Sequence, residues 1–121
     1  METRLQLCAP IETYLRGINS RDAVTFQASF ADSAVVKDIG REIRGITAIA
    51  DWARHEIFAV NVSLELIETA ERDGGSVITV KVEGTFDRTG LPDPLVMEHC
   101  FTIIEDKIAS LTCRLASQKV S

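Results

Sequence analysis

Ala34-Val35-Val36-Lys37-Asp38-Ile39-Gly40-Arg41-Glu42-Ile43-Arg44-Gly45 is the stretch on which the fold turns. Residues alternate over 34–38, so Ala34, Val36 and Asp38 share one face of a strand while Val35 and Lys37 take the other. Ile39-Gly40 makes a turn into a second short strand over 41–44. From residue 46 the period becomes helical. Ile46, Ile49, Ala50, Ala53 and Ile57 form the apolar stripe of a helix over 46–58, with Trp52 beside it and Asp51, Arg54, His55 and Glu56 on the solvated side. One carboxylate is thereby delivered to the end of an apolar strand, just ahead of a covering helix. That is one way to build a reactive pocket.

Upstream, Leu7, Ile11, Tyr14, Leu15 and Ile18 predict a helix ending near Asn19. Pro10 fits in its first turn, where a missing amide breaks no helical bond. Ser20-Arg21-Asp22 interrupts the chain, and a second helix over 22–30 offers Phe26 and Phe30 at i, i+4 as its buried pair. Downstream, Val62, Leu64 and Leu66 alternate with Ser63 and Glu65, and Asp73-Gly74-Gly75 reads as a hairpin turn. Ile78, Val80, Val82, Gly84 and Phe86 share one face of a long strand. A loop over 87–94 leads into Met97, His99, Phe101 and Ile103, and Glu105-Asp106 turns into a last strand with Ile108, Leu111, Cys113 and Leu115. Helices followed by an antiparallel meander make an α+β plan. We expect a curved antiparallel sheet forming a cone-shaped half-barrel covered by the N-terminal helices, one domain over 1–121, with the last few residues frayed.

The 18 acids against 13 bases, with no Lys/Arg cluster, speak against a nucleic-acid partner. No apolar run approaches the roughly 20 residues that span a bilayer. Met1-Glu2-Thr3-Arg4 does not open a signal peptide, so a cytoplasmic protein without a membrane partner is expected. Cys8, Cys100 and Cys113 lie in apolar segments without C-x-x-C spacing, the pattern of buried reduced thiols. Neither histidine has an acid at ligand spacing, so no metal is expected. Gly74-Gly75 is a hairpin rather than a phosphate loop, no Ser or Cys sits in an elbow or triad, and no cofactor is implied.

Tyr14-Leu15-Arg16-Gly17-Ile18-Asn19-Ser20-Arg21-Asp22, Phe30-Ala31-Asp32, Val36-Lys37-Asp38, Gly45 with Ile49 and Trp52, and Phe101 with Lys107-Ile108 and Leu111 together carry a resemblance over residues 11–115. In these the chain resembles the SnoaL-like group of the nuclear transport factor 2-like superfamily, which also contains ketosteroid isomerases. The superfamily holds isomerases, dehydratases, polyketide cyclases, hydrolases and non-catalytic binding domains. The resemblance implies that Tyr14 stands where those isomerases carry an oxyanion-donating phenol, and Asp38 where they carry the proton-shuttling carboxylate. His99 stands where they carry an un-ionised aspartic acid, and Ile39 where proline usually follows the base.

Parity favours His99 over Glu98, with a bulge between His99 and Phe101 as the one arrangement that would reverse it. A slip of one residue would carry Phe101 and Ile103 to the other sheet face, at about 1.5–3 kcal/mol for each apolar side chain left unburied. With Asp38, Tyr14 and His99 as the catalytic set, the pocket is expected to be lined by Trp52, Val36, Phe86, Phe101 and Met97. Its expected occupant is a small hydrophobic organic molecule, bound for cofactor-independent proton transfer of an isomerase, cyclase or dehydratase kind. The alternative is a non-catalytic ligand-binding or dimerisation module. Val96, Cys100 and Thr79 on the outer sheet face, together with the resemblance, point to a homodimer.

Overall fold

Three helices and six strands appear in a computed structural model that describes residues 7–72, 75–87 and 89–116. Helix α1 (Ala9–Asn19) has Pro10 in its first turn and buries Ile11, Tyr14 and Ile18. Asn19 docks the end of the helix onto the sheet: its amide donates to the Leu64 carbonyl at 2.9 Å, and the Leu64 amide donates back to Oδ1 at 2.7 Å. Helix α2 (Ala23–Ala28) is capped by Asp22, which accepts from the Thr25 amide at 3.1 Å and the Thr25 hydroxyl at 2.7 Å. The two helices touch backbone to backbone at Gly17, where a Cβ would lie 2.5 Å from the Phe26 nitrogen.

Helix α2 is shorter than the 22–30 expected, and Phe30 opens strand β1 (Phe30–Asp38) instead. The reason is tertiary. The Ile108 amide donates to the Ser29 carbonyl at 2.9 Å, and Phe30 pairs with Ile108 across the sheet, so the ladder captures the chain two residues before the expected helix end. The Phe26 and Phe30 rings still meet, 5.1 Å apart, but across a helix–strand junction.

Strand β2 (Arg41–Arg44) returns antiparallel through Gly40, whose φ of 81° suits a residue without Cβ. Helix α3 (Ile46–Ala53) follows, and its last turn, Arg54–Phe58, widens. There the Ala59 amide bonds the Arg54 carbonyl at 3.0 Å, five residues back, the mark of a π-type turn. Strands β3 (Ser63–Arg72), β4 (Gly75–Glu83), β5 (Val96–Ile104) and β6 (Lys107–Leu115) complete the sheet. Strand β4 stops at Glu83, short of the expected Phe86. Gly84 packs on the Val60 carbonyl, the Thr85 amide donates to that carbonyl at 2.7 Å, and a Cβ at 84 would stand 2.9 Å from its oxygen. Residues 73 and 74 of the expected hairpin, and the expected fraying at 117–121, lie outside the described residues.

The strand order is β2-β1-β6-β5-β4-β3, antiparallel except where β1 and β6 run parallel. The helices cover the inner face, and the core lies between the two layers. That single parallel seam brings the two halves of the site together. It sets Asp38 beside Cys113, and the β5–β6 register sets Cys113 beside His99. Of the cysteines, all free, Cys113 is buried and Cys100 half-buried; Cys8 departs from expectation and is exposed, because it precedes the first helical turn rather than facing the core. Among the described residues no helix is long and apolar enough to cross a membrane.

Candidate active site

A cavity of about 410 Å³ opens between the inner sheet face and the helices, within the roughly 300–1,000 Å³ usual for small-molecule sites. Each layer contributes by its own periodicity. Helix α1 supplies Tyr14 and Ile18, four residues apart on one face, and α3 with its widened turn supplies Trp52, Glu56 and Ile57. Alternate residues of β5 and β6 supply Met97, His99, Cys113 and Leu115. The segment after β4 lays Phe86, Leu91 and Leu95 along the wall, and Ile39 and Leu115 are exposed apolar residues of the cavity.

Asp38, Tyr14, His99, Trp52, Phe86 and Met97 all line this cavity. Val36 and Phe101 do not, which corrects that part of the expectation. Both face inward with the right parity but lie deeper, where the helices close on the sheet: Val36 is fully buried, and Phe101 meets the Tyr14 ring edge-on at 5.0 Å. They belong to the packed core beneath the cavity. His99 is inward and only 5% exposed, while Glu98 on the opposite face ion-pairs with Arg114 across the strands, Oε1 to Nε at 3.0 Å. The β5–β6 ladder shifts register only beyond Thr102, so parity holds at His99.

Asp38, Cys113 and His99 form a row across three adjacent strands, β1, β6 and β5. At about 4.8 Å per strand, the Asp38 and His99 backbones stand roughly 10 Å apart with the Cys113 thiol between them. The Tyr14 hydroxyl bonds His99 Nδ1 at 2.8 Å. Burial pushes the Tyr14 phenol well above its ordinary range, with smaller contributions from Cys113 and Asp38, so it stays O–H. Burial also lowers the His99 imidazole to about 4, which keeps the ring neutral near pH 7. The Cys113 thiol is driven upward, first by burial and then by Asp38, and does not ionise near neutrality.

Around Asp38 the contacts are one-sided. Trp52 Nε1 donates to Oδ2 at 3.3 Å and Arg41 donates to the same oxygen at 3.4 Å. No hydrogen bond falls on Oδ1 among the described residues, and the side chain remains 24% exposed. Arg41 is itself shared with Glu56 Oε1 at 3.1 Å. The arrangement offers one open carboxylate oxygen, a neutral phenol–imidazole pair and an apolar wall. Among the described residues no three His, Cys, Asp or Glu side chains are placed to hold a metal ion.

Several wall residues lie outside the set expected from the sequence. Cys113 could have been placed by parity, since Leu111, Cys113 and Leu115 share a face. The bridge from Arg41 to Glu56 could not, because it joins β2 to a widened helical turn that no periodicity signals. Leu91 and Leu95 come from an irregular segment and carry no pattern.

A sequence profile of the SnoaL-like domain matches residues 11–111. No curated protein matches the chain. Among solved structures, a candidate polyketide cyclase from Sinorhizobium meliloti is 26% identical, with 89% of this chain and 95% of that one covered and a TM-score of 0.79. A candidate ketosteroid isomerase from Kribbella flavida is 11% identical over 93% of this chain and 78% of its own, with a TM-score of 0.73. A Catenulispora acidiphila protein with a ketosteroid isomerase-like fold, in complex with trimethylamine, is 18% identical over 90% of this chain and 86% of its own, TM-score 0.72. At their identities the last two show the fold alone.

Proposed function

Because the chain belongs to the SnoaL-like domain family, we propose that its cavity binds a small hydrophobic organic molecule and moves a proton on it without a cofactor, as an isomerase, cyclase or dehydratase does. The single observation that carries this reading is the open Oδ1 of Asp38 in a cavity that also holds the neutral Tyr14–His99 pair. Removing a proton next to a carbonyl needs a base in a poorly solvated site and donors at the developing oxyanion. Asp38 Oδ1 takes the proton. Charge then gathers on the carbonyl oxygen, which the phenol–imidazole pair stabilises, and the carboxylic acid returns the proton to the same or a conjugated carbon. Trp52 and Arg41 hold Oδ2 and so keep Oδ1 turned to the ligand.

The rival reading is a non-catalytic ligand-binding or dimerisation module, and the Arg41 contact, which occupies part of the Asp38 charge, favours it. Native mass spectrometry of freshly purified protein identifies a retained ligand under either reading. The deciding experiment is exchange of α-hydrogens for deuterium in small aromatic ketones such as 1-tetralone, with the wild type and with Asp38→Asn. Exchange at least about 100-fold above background that disappears in the variant is expected, the low end of a general base's contribution. Binding without exchange establishes the rival.

A further inference from the structure

Within the Tyr14–His99 pair the two residues are not equivalent. His99 touches Tyr14 through Nδ1, and its other ring nitrogen, Nε2, takes no hydrogen bond among the described residues. Yet no buried side-chain nitrogen or oxygen among them is left without a partner. An unpartnered Nε2 therefore keeps some accessible surface, on a residue that is 5% exposed in all. His99 lines the cavity, so Nε2 is the polar atom that the ring offers to a ligand.

The proton between phenol and imidazole has two arrangements. Tyr14 O–H can donate to a bare Nδ1, which leaves the ring hydrogen on Nε2. Alternatively Nδ1–H can donate to the phenol oxygen, which frees the Tyr14 O–H and leaves Nε2 bare. A phenol is the more acidic donor and an imidazole nitrogen the more basic acceptor, so the first arrangement is the stronger bond. The tautomer of a histidine is set by the bond that its inner nitrogen makes. Burial holds the phenol protonated and the ring neutral, so neither charge state competes.

We infer that His99 meets the ligand through Nε2–H, donating to a carbonyl oxygen of an uncharged molecule, and that Tyr14 is a positioning residue which holds His99 in that tautomer. The phenol hydrogen is spent on Nδ1 and is not the direct donor. An anion is disfavoured because, among the described residues, the ionisable side chains Asp38, Glu56 and Asp87 are carboxyl groups and no Lys or Arg lines the cavity, so the carbonyl that meets Nε2–H is that of a ketone rather than of a carboxylate. The inference deepens the proposed proton transfer and rests on the same cavity being the ligand site, but its test does not depend on turnover.

The test is ¹⁵N and ¹H NMR of the full chain labelled in its histidine rings. With only two histidines, His55→Asn assigns the signals of His99. In the free protein, Nδ1 is expected to appear as a bare, hydrogen-bonded nitrogen and Nε2 as protonated. Tyr14→Phe should then produce a mixture of tautomers, which a merely structural role for Tyr14 would not. Adding 1-tetralone to saturation, followed through the fluorescence of Trp52, the chain's single tryptophan, should move the Nε2–H resonance and leave Nδ1 bare. A protonated Nδ1 in the free protein overturns the inference even where tetralone is deuterated. So does saturation by tetralone without movement of Nε2–H, and so does a cavity that takes no neutral ketone at millimolar concentration. An Nε2–H that responds to tetralone while no deuterium is incorporated supports the inference and refutes the proton-transfer reading alone.

Discussion

Acidification should destabilise this protein in part through His99, and the size of that part follows from the burial of the ring. The unfolded imidazole titrates near 6.5, whereas the folded one is lowered to about 4 by desolvation. Between those values the unfolded chain binds a proton that the folded chain refuses, so stability rises with pH and is lost as pH falls. The contribution is fully present above about pH 6.5, declines through the window and stops declining below about 4. At about 1.4 kcal/mol per pH unit the whole window is worth about 3 kcal/mol. For a chain of this length that corresponds to roughly 10 °C in Tm.

Carboxylates complicate the raw curve. Asp22 is lowered by the hydrogen bond from the Thr25 side chain and Asp87 by that from the Thr89 amide, and both lose stabilisation in acid too. The measurement is therefore a difference: thermal and urea melts of wild type and His99→Gln at half-unit steps from pH 7.5 to 4. Gln keeps a polar group for the Tyr14 hydroxyl and removes the titration. The two curves should converge by about 3 kcal/mol as pH falls. Parallel curves, or a His99 ring that titrates near 6.5 by NMR in the folded protein, would refute the reasoning.

Asp38→Asn should leave stability within about 1 kcal/mol of wild type, because both contacts on Oδ2 are long and one of them, Trp52 Nε1–H, can still donate to an amide oxygen. A loss above about 3 kcal/mol in urea melts would make Asp38 a structural residue. Gly17→Ala should destabilise by about 1–2 kcal/mol despite the better helix propensity of alanine. The new methyl meets the Phe26 backbone, 2.5 Å from its nitrogen, and backbone cannot rotate away. An unchanged or raised Tm would show that α1 and α2 part freely. The outer sheet face, with Val96, Cys100 and Thr79 among charged neighbours, is expected to pair with a second copy, and light scattering should report twice the chain mass. A particle of single mass across the micromolar range would count against it.

Period and parity in the sequence alone settled which face the site residues take. Alternation along 96–104 put His99 inward and Glu98 outward, and alternation along 34–38 put Asp38 on the face of Val36. These assignments are local, because a strand's two faces are fixed by its own pleat and a slip would expose large apolar groups. Helical spacing likewise placed Tyr14 on the buried face of α1. Depth was not legible: Val36 and Phe101 share faces with Asp38 and His99, yet they sit below the cavity because the helices close there. Nor could the chain announce that Phe30 would leave its helix for the ladder with Ile108, or that Arg41 and Glu56 would meet. Only the parallel pairing of β1 with β6 decided that Asp38 and His99 share a row. Strand order is a property of the whole sheet, and no single strand carries it in its own alternation.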